Sequence, residues 1–401
     1  MALLDKNNRI QPLALPVIAP ILIITVFFCY LISVPASAGN AEKPEFEINT
    51  TMLAIGKNMA KLFPVLFRDD EFKALENKKL IQDSIDNILA LFENAGPHFQ
   101  SRTITFKTSF EVLEEHLRET RKAFEGGNSG YAQQLLKEAV SICTSCHTQD
   151  KKERTLFKET SRKSFTRDFE YAEFSFMTRN YGDAIKYYDN FLASPHEKAT
   201  ENEMLTALKR ELTIFAQVYN DPGQGADHLR EHLSKDKLTP YVQRNVTEWI
   251  KGLRELEGSN VFIENAKDFA SLEALVHEYL GPMDNPGTTA IPSKKEVVFH
   301  VWLRGLLYTY LNKNPTQDEI PKILYWLSMN DRATNYSYYY SLADLYLQEC
   351  MLIFTKHPYA KKCYEEYKEY IEFSYSGSLG TEIPDDLKKE LETLHRKVYG
   401  S

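Results

Sequence analysis

From Ile48 onward, apolar residues recur every three or four positions along this 401-residue chain, and no stretch alternates residue by residue. That spacing follows the 3.6-residue turn of a helix, so the pattern predicts an all-α protein. The first predicted helix spans about Ile48 to Phe67 and sets Met52, Ile55, Met59 and Phe63 on one face. A second covers about Glu71 to Glu93, with Leu80, Ile85, Ile88, Leu89 and Phe92 as its stripe. The breakers Asn94-Ala95-Gly96-Pro97 precede a third, from about Thr108 to Phe124, which uses Phe110, Leu113 and Leu117. Gly126-Gly127-Asn128-Ser129-Gly130 forces a turn. A fourth helix then starts near Tyr131 and presents Leu135, Leu136, Ala139 and Ile142. Four amphipathic helices with short links predict an antiparallel four-helix bundle.

Beyond Asp150 the pattern changes to helix pairs rich in Tyr, Phe and Ala. Phe169-Glu170-Tyr171-Ala172 pairs with the stretch Tyr181 to Tyr188, and Leu342 to Tyr346 pairs with Pro358-Tyr359-Ala360 and Tyr364. A small residue set between large ones lets two helices approach closely. Ala172, Ala184 and the turn residue Tyr181 give the first pair a resemblance to a tetratricopeptide repeat, although later units have longer helices and an irregular period. The expected organisation is a leader at 1–38, a bundle at 39–150 and an α-helical, tetratricopeptide-like repeat domain at 151–401.

The leader rests on Lys6 and Arg9, the apolar run Ile21 to Ile32, and Ala36-Ser37-Ala38, a small-residue cleavage pattern. It predicts export to the periplasm. The apolar stretch Leu13 to Val34 is long enough to stay uncleaved as a membrane anchor, though Pro16 and Pro20 interrupt it. A formal charge of −8 lacks the basic face of a general nucleic-acid binder, so no nucleic-acid partner is expected.

The chemistry-bearing motif is Cys143-Thr144-Ser145-Cys146-His147. Two thiols three positions apart on a helix can each bond a haem vinyl group, and the adjacent imidazole reaches the iron from the same side. On the order of one random chain in several hundred of this composition would hold such a match. A redox dithiol belongs at a helix start after a strand, but this pair comes late in a helix. A zinc site would want a second Cys-x-x-Cys, and the sequence has none. The motif predicts one covalent haem c, with iron bound by His147.

With that motif in place, residues from about Glu45 to Asp150 resemble the cytochrome c-prime and cytochrome c-556 family. The stretch Met52-Leu53-Ala54-Ile55-Gly56-Lys57-Asn58-Met59 matches the family's first helix. The resemblance implies a four-helix bundle carrying one c-type haem. It puts Met52 at the sixth iron position and Gly56 where the porphyrin approaches the backbone. In c-556-like members a Met there ligates iron; in c-prime members an apolar residue leaves the position open. The sequence departs from the pattern at Ile48, often Arg in the family, and at Thr148 to Lys151, where an aromatic residue and Arg are usual. Read without the resemblance, Met52 is an ordinary core residue of an apolar face, with Met59 the alternative ligand.

Other candidates carry weaker signals. His98 and His116 read as surface or boundary histidines. His228 and His232, four apart, could share a metal, but no third ligand is evident and a solvated helix face is the default. Tyr336 to Tyr340 reads as packing between repeats, and the basic run Lys151 to Arg167 as a solvated charged helix. A breaker-rich loop is expected from Gly281 to Ser293. Cys350 and Cys363 flank the turn His357-Pro358 and leave a disulfide open. The expected function is non-enzymatic electron transfer through a His/Met-ligated haem, with the repeats docking a redox partner protein. Two alternatives stand beside it: a five-coordinate NO- or CO-binding sensor, and a repeat scaffold with an accessory haem.

Overall fold

The computed structural model describes residues 48–96, 104–149, 161–193, 199–235, 237–259, 268–281, 292–313, 315–334, 341–378 and 380–400. The leader, His98, residues 151–160 of the basic run, most of the loop after Gly281 and the tyrosine run at 336–340 lie outside these residues. The described chain is all-α. Its strands are the two-residue pair Ser376–Gly377 and Gly380–Thr381.

The helices are α1 (Ile48–Leu66), α2 (Asp69–Lys73), α3 (Lys78–Ala95), α4 (Ile104–Glu125) and α5 (Ser129–His147), then α6 (Asp168–Met177), α7 (Tyr181–Ala193) and α8 (Glu201–Thr213). A π-helical segment, Ile214–Tyr219, continues α8. Then follow α9 (Pro222–Ser234), α10 (Pro240–Gly258), α11 (Phe269–Leu280), α12 (Glu296–Leu311), α13 (Ile320–Thr334), α14 (Ala343–Ile353), α15 (Pro358–Ser374) and α16 (Asp385–Tyr399).

α1, α3, α4 and α5 enclose a first core of Ile55, Met59, Leu62, Phe63, Ile85, Ile88, Leu117, Leu136 and Ile142, among others. Each such side chain removed from water contributes about 1.5–3 kcal/mol before entropy is charged against it. Gln133 Nε2 donates to Leu66 O over 2.9 Å, so the start of α5 meets the end of α1. The second predicted helix begins differently from expectation. Ala74 is extended (φ −67°, ψ 135°), which separates α2 from α3 by a short 3-10 turn, Leu75–Asn77. The stripe of α3 therefore starts at Ile81, and Leu80 is exposed.

α6 belongs to two cores at once. All its residues from Phe169 to Met177 are buried. Tyr171, Phe174 and Met177 face the first core, while Phe169, Ala172 and Phe176 face a second that extends to α16. Its apolar residues point both ways, and its buried acids are paired, Glu170 with Arg167 and Glu173 with Arg210. The ring of Phe174 meets Phe63 edge-on at 5.5 Å, and Arg68 at the end of α1 lies 3.6 Å from Glu170.

The second core is built of sequential helix pairs. α6 packs on α7, α9 on α10, α12 on α13 and α14 on α15. Ala172 and Ala184 are both fully buried, as a close helix pair needs. Gly305 of α12 presses on the π-helical segment, and a Cβ there would stand 2.6 Å from Gln217 O. Buried charges tie the pairs together. Arg304 of α12 and Asp331 of α13 meet at 2.8 Å with neither side chain exposed, and Asp331 also accepts from Leu342 N. Cys350 of α14 and Cys363 of α15 form a disulfide, their Cα atoms 6.4 Å apart, inside the range a bridge tolerates. Among the described residues, no helix is long and apolar enough to cross a membrane.

Candidate functional site

α5 delivers the motif in its last turn. Asn128 starts the helix by accepting from Tyr131 N, and Thr148 N closes it on Thr144 O. Cys143 and Cys146 are three apart, so they are neighbours on one helix face. Both are free thiols. Burial pushes the Cys143 thiol up to about 12, and the charge of Cys146 adds to this. Burial raises the Cys146 thiol too, against the pull of Arg179 and Arg304. The negative end of the α5 dipole also disfavours a thiolate here. A redox dithiol needs the opposite environment.

His147 is half-buried, and its Nδ1 bonds the carbonyl oxygen of Met177 at the end of α6. A carbonyl only accepts, so the proton of the neutral ring sits on Nδ1 and the lone pair on Nε2. This is how metal-ligating histidines are usually oriented, one nitrogen held by a backbone carbonyl and the other used as ligand. The last carbonyls of a helix have no partner within it. Here three neighbours answer them. Tyr181 Oη donates to His147 O over 3.3 Å. Gln217 Nε2 donates to Thr148 O over 3.0 Å, and Asn312 Nδ2 to Gln149 O over 3.2 Å.

Gln133 near the start of α5 meets Leu66 at the end of α1. Met52 is half-buried and, like Cys143, packs against the first core. Gly56 is buried one turn further along α1. His116 of α4 is occupied otherwise, its Nε2 2.9 Å from Glu138 Oε2 of α5.

His228 and His232 do not form a solvated face. His232 is 2% exposed, and α9 turns both rings inward towards Asp189 of α7 and Glu211 of α8. These two carboxylates are partners that the sequence pattern does not mark. The i, i+4 histidine spacing was visible, but no local pattern marks acids contributed by two other helices. His228 Nε2 lies 3.2 Å from Asp189 Oδ1 and 3.6 Å from Glu211 Oε2. His232 Nε2 is 3.1 Å from each. Burial opposes charge on the rings, yet Asp189 and Glu211 outweigh it and lift His228 to about 10 and His232 to about 9.

The chain thus holds two separate sets of ligand-type residues. One is contiguous at the end of α5; the other is assembled from α7, α8 and α9. No known protein family, curated protein or solved structure matches the chain.

Proposed function

We propose that the protein is an exported c-type cytochrome with one haem, and that it transfers electrons. The single observation that carries this reading is Cys143-Thr144-Ser145-Cys146-His147 in the last turn of α5, with the imidazole anchored through Nδ1. The residues present fit the group. The thiols are unpaired with each other, Nδ1 is held by a backbone carbonyl as in a ligating histidine, and the neighbouring core is apolar. Bound haem would supply a one-electron ferrous–ferric couple. Cys143 and Cys146 would tether it, and His147 would hold the iron on one side. Met52 of α1 would be the second ligand, and a soft, neutral sulfur favours the ferrous state. Gly56, one turn on, presents no side chain to crowd the porphyrin.

The Cys350–Cys363 disulfide supports export, because such bridges persist in oxidising compartments. We assign the sequential helix pairs from α6 onward, read as tetratricopeptide-like repeats, to docking of the redox partner, since stacked pairs offer extended surfaces. The half-buried position of Met52 favours a second reading. If its sulfur does not reach the iron, an open position in an apolar pocket would take nitric oxide or carbon monoxide.

The test is mass analysis and a ferric absorption spectrum of the mature protein, made with a competent maturation apparatus. The mass should exceed that of the polypeptide by one covalently held haem, and C143A and C146A should each lose one thioether bond. A low-spin spectrum with a weak far-red sulfur band, converted to high-spin by M52A, identifies the His/Met pair. A high-spin spectrum unchanged by M52A identifies the open site. A polypeptide without added mass overturns both.

A further inference from the structure

The quartet Asp189, Glu211, His228 and His232 has the composition and spacing of a metal site. Four donor atoms, two imidazole nitrogens and two carboxylate oxygens, all lie within 4.8 Å of one another. The four nitrogen–oxygen separations run from 3.1 to 3.6 Å. Ligands bound to zinc at about 2.0–2.2 Å in a tetrahedron stand about 3.3–3.6 Å apart. The four nitrogen–oxygen edges span that range, and the remaining pairs lie within 4.8 Å.

A second observation points the same way. Glu211 is fully buried, and neither of its oxygens receives a hydrogen bond. The Nε2 atoms of His228 and His232 are likewise buried without a hydrogen-bond partner, although each lies near both carboxylates. The four groups are near one another but not aimed at one another. A buried carboxylate that accepts no hydrogen bond is costly even beside charged rings, and binding a metal would satisfy both of its oxygens and the two ring nitrogens at once. The nearest cation in sequence, Arg210, is directed to Glu173 at 3.2 Å.

We propose that Asp189, Glu211, His228 and His232 bind one divalent transition-metal ion, of which zinc fits the donor set best. The ion displaces the protons that the two rings otherwise hold beside Asp189 and Glu211, and two imidazoles with two carboxylates then suit a borderline ion, whereas magnesium and calcium prefer oxygen alone. Four protein ligands close a tetrahedral shell and leave no position for substrate, so the ion's role is structural. It cross-links α7, α8 and α9, three successive helices of the second core. Asp189, a third exposed, is the side from which the ion enters. The π-helical segment begins three residues after Glu211, and such segments cluster at functional sites. The inference stands apart from the haem reading, as none of the four residues belongs to the Cys143–His147 motif.

The experiment is zinc titration by calorimetry, with elemental analysis, on the full-length protein after chelator treatment. The same measurement in a C143A/C146A background removes any thiol contribution. One zinc per chain is expected in both, with a higher melting temperature on binding. D189N, nearly isosteric and partly exposed, should weaken binding at least tenfold, and H228Q about a hundredfold or more, since outer-shell changes alone cost 10–100-fold. Circular dichroism checks that both variants stay folded. No zinc uptake by the wild-type chain, or equal uptake by folded D189N and H228Q, overturns the proposal and leaves the quartet an ion-pair cluster of two imidazoliums and two carboxylates.

Discussion

The two cores treat charge in opposite ways. Around α1 to α5, the buried polar residues are Thr51, Ser84, Thr120, Gln133, Thr144, Ser145 and Thr148, all uncharged. From α6 onward the interior holds Glu170, Glu173, Arg210, Glu211, His232, Arg304, Asp331 and Glu366. The first core is held by apolar stripes and short links, which already place neighbouring helices. The second stacks many similar pairs, and apolar contact alone would let them slide or exchange partners. A buried ion pair is weak evidence of stability but can fix register. The comparison suggests that register is what these charges provide.

The strongest way to break that comparison is to remove one partner of a fully enclosed pair. R304M strands Asp331 and should cost about 3–5 kcal/mol in urea unfolding. A cost under 1 kcal/mol would mean the charges do not organise the second core. Reduction of Cys350–Cys363 comes next. It frees a loop with a 13-residue separation and should cost about 3 kcal/mol. The loss should appear in the second core, and amide exchange in α3 and α4 should hold. In the first core, N128A removes the cap of α5 and should cost about 1 kcal/mol, measured by thermal melting.

The smallest effect sharpens the contrast from the other side. His116 holds the Glu138 carboxyl below its usual range by a hydrogen bond, against a desolvation that raises it. A depressed carboxylate contributes stability above its unfolded value, near 4.5, and loses it as pH falls through the folded value. Glu138 is about a third exposed, so the contribution stays below about 1 kcal/mol. E138Q should flatten the acid limb of stability against pH by no more than that; a larger change would show that the first core also depends on charge.

What the sequence disclosed follows from how far apart the cooperating residues lie. Cys143, Cys146 and His147 share one helical turn, so their spacing is written in the chain. Helix periodicity placed α1, α4 and α5 within a few residues of their ends. Leu80 was misassigned because the periodicity was read as one helix from Glu71, and a single extended residue, Ala74, resets it. The pairing of Cys350 with Cys363 stayed open because Cα separation is a property of the packed helices. Asp189 and Glu211 carried no signal at all, since a site assembled from three helices has no local pattern.

The position of α6 has a mechanical consequence. Its ring and thioether side chains plug the first core while its final carbonyl steadies the imidazole of His147. The ligand-bearing part is therefore no detachable cassette. A cut ahead of Asp168 would unroof hydrophobic surface and release the His147 ring from its carbonyl partner in one stroke. Strain arriving at the distal helices has a solid strut through which to reach the motif.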